Sequence, residues 1–62
     1  MSERVLSLSA VREATSLGRT AIYSAQKAGL FPKAIHLTAR RRGWLESEIL
    51  GWVADRASER AA

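Results

Sequence analysis

LGRTAIYSAQKAGLFPK, residues 17–33, decides how the rest of the chain reads. At about 100° per residue along a helix, Ala21, Ile22, Ala25, Gln26 and Gly29 fall on one side, and Thr20, Tyr23, Ser24 and Lys27 on the other. The first side is small or apolar enough to pack. The second carries hydroxyls, an aromatic ring and a cation, with Arg19 at the helix entrance. Such groups suit phosphate oxygens and base edges, so the stretch predicts a DNA-recognition helix over about residues 19–28.

Working outward, the same helix-start device occurs twice. Ser7 is placed to cap a helix over residues 8–14, with Leu6 at N′ able to pack on Val11 at N4. Eleven residues later Leu17, Gly18 and Ile22 repeat the pattern at the start of the second helix. Two short helices joined by a turn over residues 15–18 make a helix-turn-helix. Gly29 is placed to end the second helix in a left-handed C′ conformation, and Pro32 bars its resumption.

Beyond Pro32 the period changes from helical to alternating. Ile35, His36 and Leu37 read as one strand, Arg42, Gly43 and Trp44 as its return, and residues 38–41 as the loop between them. A third helix is expected from about residue 46 to 59, with Glu46 and Glu48 favouring its positive end. Ile49, Trp52, Val53 and Ala57, flanked by Leu50, form its expected buried stripe. The fold class is therefore mostly α: a winged helix-turn-helix of three helices with a two-stranded β-hairpin wing between the second and third. All 62 residues make one expected domain, frayed at about residues 1–4 and 60–62.

Charge is segregated along this plan. Residues 14–45 contain no acid, while Arg19, Lys27, Lys33, Arg40, Arg41 and Arg42 lie within them; the flanks are balanced or acidic, and the net charge is +4. A segregated basic segment is the electrostatic footprint of a polyanion's partner, nucleic acid being the usual one. A solvated surface or an acidic protein partner gives the same charge pattern.

The remaining residue types exclude several classes. A chain this short buries only about 60% of the surface exposed by its unfolded form, which leaves no room for a deep catalytic cleft. It has no cysteine, hence no thiol nucleophile, disulfide or thiolate metal site, and a reducing cytoplasm is the expected location. His36 is the only histidine and is expected exposed on the wing, with no metal and no cofactor implied. Glu46 and Glu48 belong to a helix start and form no acid/base dyad. No enzymatic activity is expected. The apolar runs are short and no leader or membrane span is expected. Trp44, Trp52 and Phe31 read as core anchors, whereas Tyr23 covers the helix-wing seam with its hydroxyl available to a phosphate.

IYSAQKAGLFPK followed by IHLTARRRGWLESEILGWV resembles the AlpA family of phage and prophage DNA-binding regulators, relatives of the small excisionases in the MerR-like winged-helix group. The resemblance runs through Gly18, Arg19, Thr20, Ala21, Ile22 and Tyr23, then Gly29, Phe31, Pro32 and Lys33, then Gly43, Trp44, Ser47, Glu48 and Trp52. Gly18 stands where that family usually has a serine cap, Ser24 where a larger and often basic side chain is common, and Arg41 and Arg42 where the wing is small or apolar. These last two changes move electrostatic weight onto the wing.

The resemblance implies a sequence-specific binder of double-stranded DNA acting as a transcriptional regulator of a phage or mobile element. An excision factor bending DNA beside an integrase is the alternative within the same family group. A protein-interaction module whose basic face meets an acidic partner is the alternative outside it. The residues expected to touch DNA are Arg19, Thr20, Tyr23, Ser24, Lys27, Lys33, Arg40, Arg41 and Arg42. One module of this size covers only about 600 to 1,000 Å² of DNA-contacting surface, so self-association on repeated sites is expected.

Overall fold

Three short strands and three helices follow in the order β1 (Val5–Leu6), α1 (Leu8–Thr15), α2 (Arg19–Lys27), β2 (Ile35–His36), β3 (Arg42–Leu45) and α3 (Glu46–Glu59). The computed structural model describes residues 3–60. The architecture is the mostly helical winged helix-turn-helix expected from the sequence, with one strand more in its sheet.

Local chemistry accounts for both ends of α1. Ser7 is extended and its Oγ accepts the Ala10 N–H at 3.2 Å, while Leu6 and Val11 are both buried as the predicted staple. Thr15 extends the helix one residue past the expected end. Its Oγ1 donates to the Val11 carbonyl at 2.8 Å and accepts the Leu17 N–H at 3.3 Å. The chain then turns through Ser16 at φ 61°, whose N–H reaches the Arg12 carbonyl at 2.8 Å.

Gly18 opens α2 in an extended conformation with no side-chain cap, and Ile22 anchors the helix in the core with Leu17 half-buried beside it. Its end is a Schellman motif. Gly29 takes φ 77°, its N–H bonds to the Gln26 carbonyl at 3.0 Å, and the Leu30 N–H reaches back to the Ala25 carbonyl at 2.8 Å.

The segment after α2 is held by two indoles. Trp44 Nε1 donates to the Pro32 carbonyl at 3.1 Å, which also accepts Gln26 Nε2 at 3.2 Å, and Trp52 Nε1 donates to the Leu30 carbonyl at 2.7 Å. The Phe31 ring meets the Trp52 ring edge-on, with centroids 4.9 Å apart at 62°. Carbonyls that a turn would otherwise leave unpaired are thereby satisfied, and the end of α2 is tied to β3 and α3 together.

The sheet has the order β1-β3-β2, all antiparallel. Ile35 opposes Gly43 and His36 opposes Arg42, which makes the expected wing; Val5 opposes Leu45 and Leu6 opposes Trp44, which adds a strand to the expected two. Two residues cannot show a period, so β1 has no signal of its own. Gly43 permits the arrangement, because a Cβ there would overlap Val5 Cγ1 and lie 3.1 Å from Leu37 Cδ1.

Residues 3 and 4, grouped with a frayed terminus in the sequence reading, are pinned to the start of α3. The Arg4 carbonyl accepts the Glu46 N–H at 2.8 Å, and the Glu3 carboxylate accepts the Ser47 N–H at 3.2 Å and its hydroxyl at 2.8 Å. Leu45 supplies no side-chain cap, so the cap for α3 comes from the opposite end of the chain. At the other terminus α3 continues to Glu59, with Arg60 as its C-cap. The fraying expected at residues 1, 2, 61 and 62 lies outside the described residues.

Leu6, Val11, Ile22, Phe31, Trp44 and Ile49 form the core. Around it pack Leu8, Ala10, Leu17, Ala25, Ala34 and Trp52. The buried stripe of α3 is shorter than expected: Ile49 is buried and Trp52 and Val53 half-buried, but Ala57 is exposed and Leu50 is 56% exposed. Helical spacing groups Ala57 with Ile49, yet the core cluster takes only Ile49 and Trp52 from α3. Ala21 and Gly29, assigned to the packing side of α2, are also exposed. Among the described residues no helix is long and apolar enough to cross a membrane.

Candidate nucleic-acid interface

The outer face of α2 is built from short side chains. Arg19, Thr20, Ser24 and Lys27 are exposed, and Thr20, Ser24 and Lys27 follow one another at one-turn spacing. Ala21 and Ala28 are exposed beside them, an extension of this face that the polar pattern alone did not mark. A face with alanines, a serine and a threonine lets the backbone approach a partner closely, with Arg19 and Lys27 at its two ends.

The wing presents its arginines on an ordered turn. Thr38 Oγ1 accepts the N–H groups of Arg40 and Arg41 at 3.3 and 3.1 Å, and the Leu37 N–H bonds to the Arg41 carbonyl at 2.9 Å. This threonine fold-back fixes the turn from which Arg40, Arg41 and Arg42 project, all exposed. His36 lies opposite Arg42 on β2 and is exposed. Lys33 is exposed on the segment held by the two indoles.

Between the start of α2 and the wing lies a shallow depression lined by Leu8, Arg19, Tyr23, Arg40, Arg42 and Trp44. Four of the residues singled out in the sequence, Arg19, Tyr23, Arg40 and Arg42, thus converge on one place although they span two elements. Lys27, Lys33 and Arg41 lie outside it. Tyr23 is half-buried, in keeping with a ring over the helix-wing seam.

Among the described residues no ion pair offsets this charge. Among the described residues the ion pairs are Arg4 with Glu46 at 3.7 Å and Arg56 with Glu59 at 2.8 Å, both involving α3. Arg56 also lies over the Trp52 ring at 5.5 Å. The cations of α2 and the wing are paired with no carboxylate, and no group of three or more potential metal ligands occurs among the described residues. The surface has the chemistry of an anion-binding face.

Residues 4–57 match the family described as prophage CP4-57 regulatory protein (AlpA). The chain is also 34% identical over 58 residues to "Uncharacterized protein ORF88" of Enterobacteria phage P4, a match covering 94% of this chain and 66% of that protein. The chain therefore spans just under two thirds of the length of this relative. With the winged helix-turn-helix in place and the family match running from β1 into the last turns of α3, the chain belongs to the AlpA family of phage and prophage regulatory proteins.

Proposed function

We propose that residues 1–62 form a single DNA-binding domain that recognises a specific double-stranded sequence and regulates transcription of phage or mobile-element genes. In this reading α2 lies in the major groove and the arginine wing lies on the backbone or in the minor groove. Arg19, Thr20, Tyr23, Ser24, Lys27, Lys33, Arg40, Arg41 and Arg42 make the contacts. The protein performs no catalysis, needs no cofactor and works in the cytoplasm. The observation that carries the reading is the exposed Thr20, Ser24 and Lys27 row standing beside an unpaired arginine wing. An acidic protein partner requires only charge, whereas short hydrogen-bonding side chains along one helix face suit base edges.

The test uses Thr20→Ala combined with Ser24→Ala, which leaves the net charge and the buried core unchanged. Selection from a random duplex pool should return a defined motif for the wild-type protein and a degraded one for the double variant, with about 1 to 3 kcal/mol of discrimination lost per missing base contact. Affinity for random DNA should hardly change. Failure of the wild-type protein to enrich any motif at physiological salt would transfer the basic face to an acidic protein partner.

A further inference from the structure

The geometry points to the depression between α2 and the wing as the seat of one backbone phosphodiester, held by Arg19 from the helix and by Arg40 and Arg42 from the wing, with Tyr23 beside it. The inference rests on the DNA-binding reading and assigns work within it. A body that puts a helix into the major groove and a wing against the adjoining minor groove must straddle the sugar-phosphate ridge between them. The ridge needs a hollow, and the hollow on this surface lies between the two elements.

Its lining suits that ligand. Three of its six lining residues carry guanidinium groups and none carries a carboxylate. Leu8, half-buried, and Trp44, almost fully buried, complete the lining, while Arg19, Arg40 and Arg42 stand exposed and free to meet a ligand. Guanidinium groups match phosphate oxygens two at a time. Like charges brought together with no anion among the described residues repel one another, and a bound monoanion relieves the repulsion. The two flanking elements are held in position, because Gln26 of α2 and Trp44 of β3 donate to the same Pro32 carbonyl. A phosphate gripped from both sides would therefore set the register of α2 in the groove, leaving Thr20, Ser24 and Lys27 to read bases.

A methylphosphonate walk along the duplex returned by selection with the wild-type protein tests this, each phosphate being neutralised in turn. Wild-type protein should lose about tenfold or more in affinity at one position, or two adjacent ones, in each bound site. Arg19→Gln and Arg42→Gln, both exposed and checked for an unchanged thermal melt, should bind the unmodified duplex more weakly and lose less than the wild-type protein on neutralisation at that same position. Combined, the two substitutions should also lower the slope of log K against log salt by up to about 0.9, the share of one phosphate. Losses that multiply independently at every position, on a duplex the wild-type protein still selects, would overturn the phosphate seat while leaving specific DNA binding intact. A wild-type protein that selects no duplex would overturn both.

Discussion

Trp44 and Trp52 both read as core anchors in the sequence, and the structure separates them. Trp44 is 1% exposed, sits in β3 and holds the Pro32 carbonyl; Trp52 is half-buried and holds the Leu30 carbonyl while meeting Phe31. A count of aromatics cannot rank them, because burial depends on what else reaches each side of the ring. The difference should appear in unfolding. Trp44→Ala empties the middle of the core and should cost about 3 to 5 kcal/mol, comparable with the whole stability of a small protein, so the variant should lack a cooperative urea transition. Trp52→Ala should cost about 2 kcal/mol, since part of its ring already faces water, and should keep a cooperative transition at a lower midpoint. The reverse order would mean that the clasp on the Leu30 carbonyl matters more than core volume. Gly43 shows a second limit at this scale: it reads as a wing residue, but the reason for glycine is the close approach of Val5, a neighbour far away in the sequence.

Elements were legible where their signals are local. The N-caps of α1 and α2, the staples and the Gly29 stop all involve residues within a few positions of one another, and the structure places each as expected. β1 was not legible, since its partner β3 lies far along the chain, with Val5 opposite Leu45. The Glu3 cap of α3 escaped for the same reason. Periodicity in α3 placed Ala57 in the buried stripe with Ile49, but Ala57 is exposed, because a repeat carries no information about where the covering layer stops. Of the candidate interface, the residues were legible from charge and hydrogen-bonding character; the convergence of Arg19 with Arg40 and Arg42 was not, because it depends on how the wing folds back toward α2. The wing makes its own prediction as an element. Replacing Arg40, Arg41 and Arg42 together by alanine should weaken binding to every duplex alike and reduce the log K against log salt slope by up to about 1.8, at about 0.9 per phosphate, since Arg40 and Arg42 share one. Filter binding across a salt series measures this, and an unchanged slope would take the wing off the DNA. A loss confined to one sequence would instead make the wing a reader of groove width.

For the molecule as a whole, the decisive property is the separation of charge between elements. Among the described residues the cations of α2 and the wing form no ion pair, while the acids among residues 46–59 belong to α3 and two of them are engaged in ion pairs with arginines. On the DNA-binding reading proposed above, the basic face would be drawn toward a duplex before contact. It does not by itself supply high affinity. With principal extents of 41, 31 and 19 Å, one copy offers a single helix and a single wing, about 600 to 1,000 Å² of contact on the scale of comparable modules. Repressor-grade affinity from that area requires more than one copy acting together, since linking binding events raises the effective concentration of the later ones. Titration of the selected duplex, followed by sedimentation velocity, should therefore find more than one protein per duplex and a binding curve steeper than a single-site isotherm. Mutating one repeat of the motif should weaken occupancy of the other. A one-to-one complex with nanomolar affinity and a simple isotherm would instead show that one helix and one wing suffice, and the requirement for repeated sites would be withdrawn.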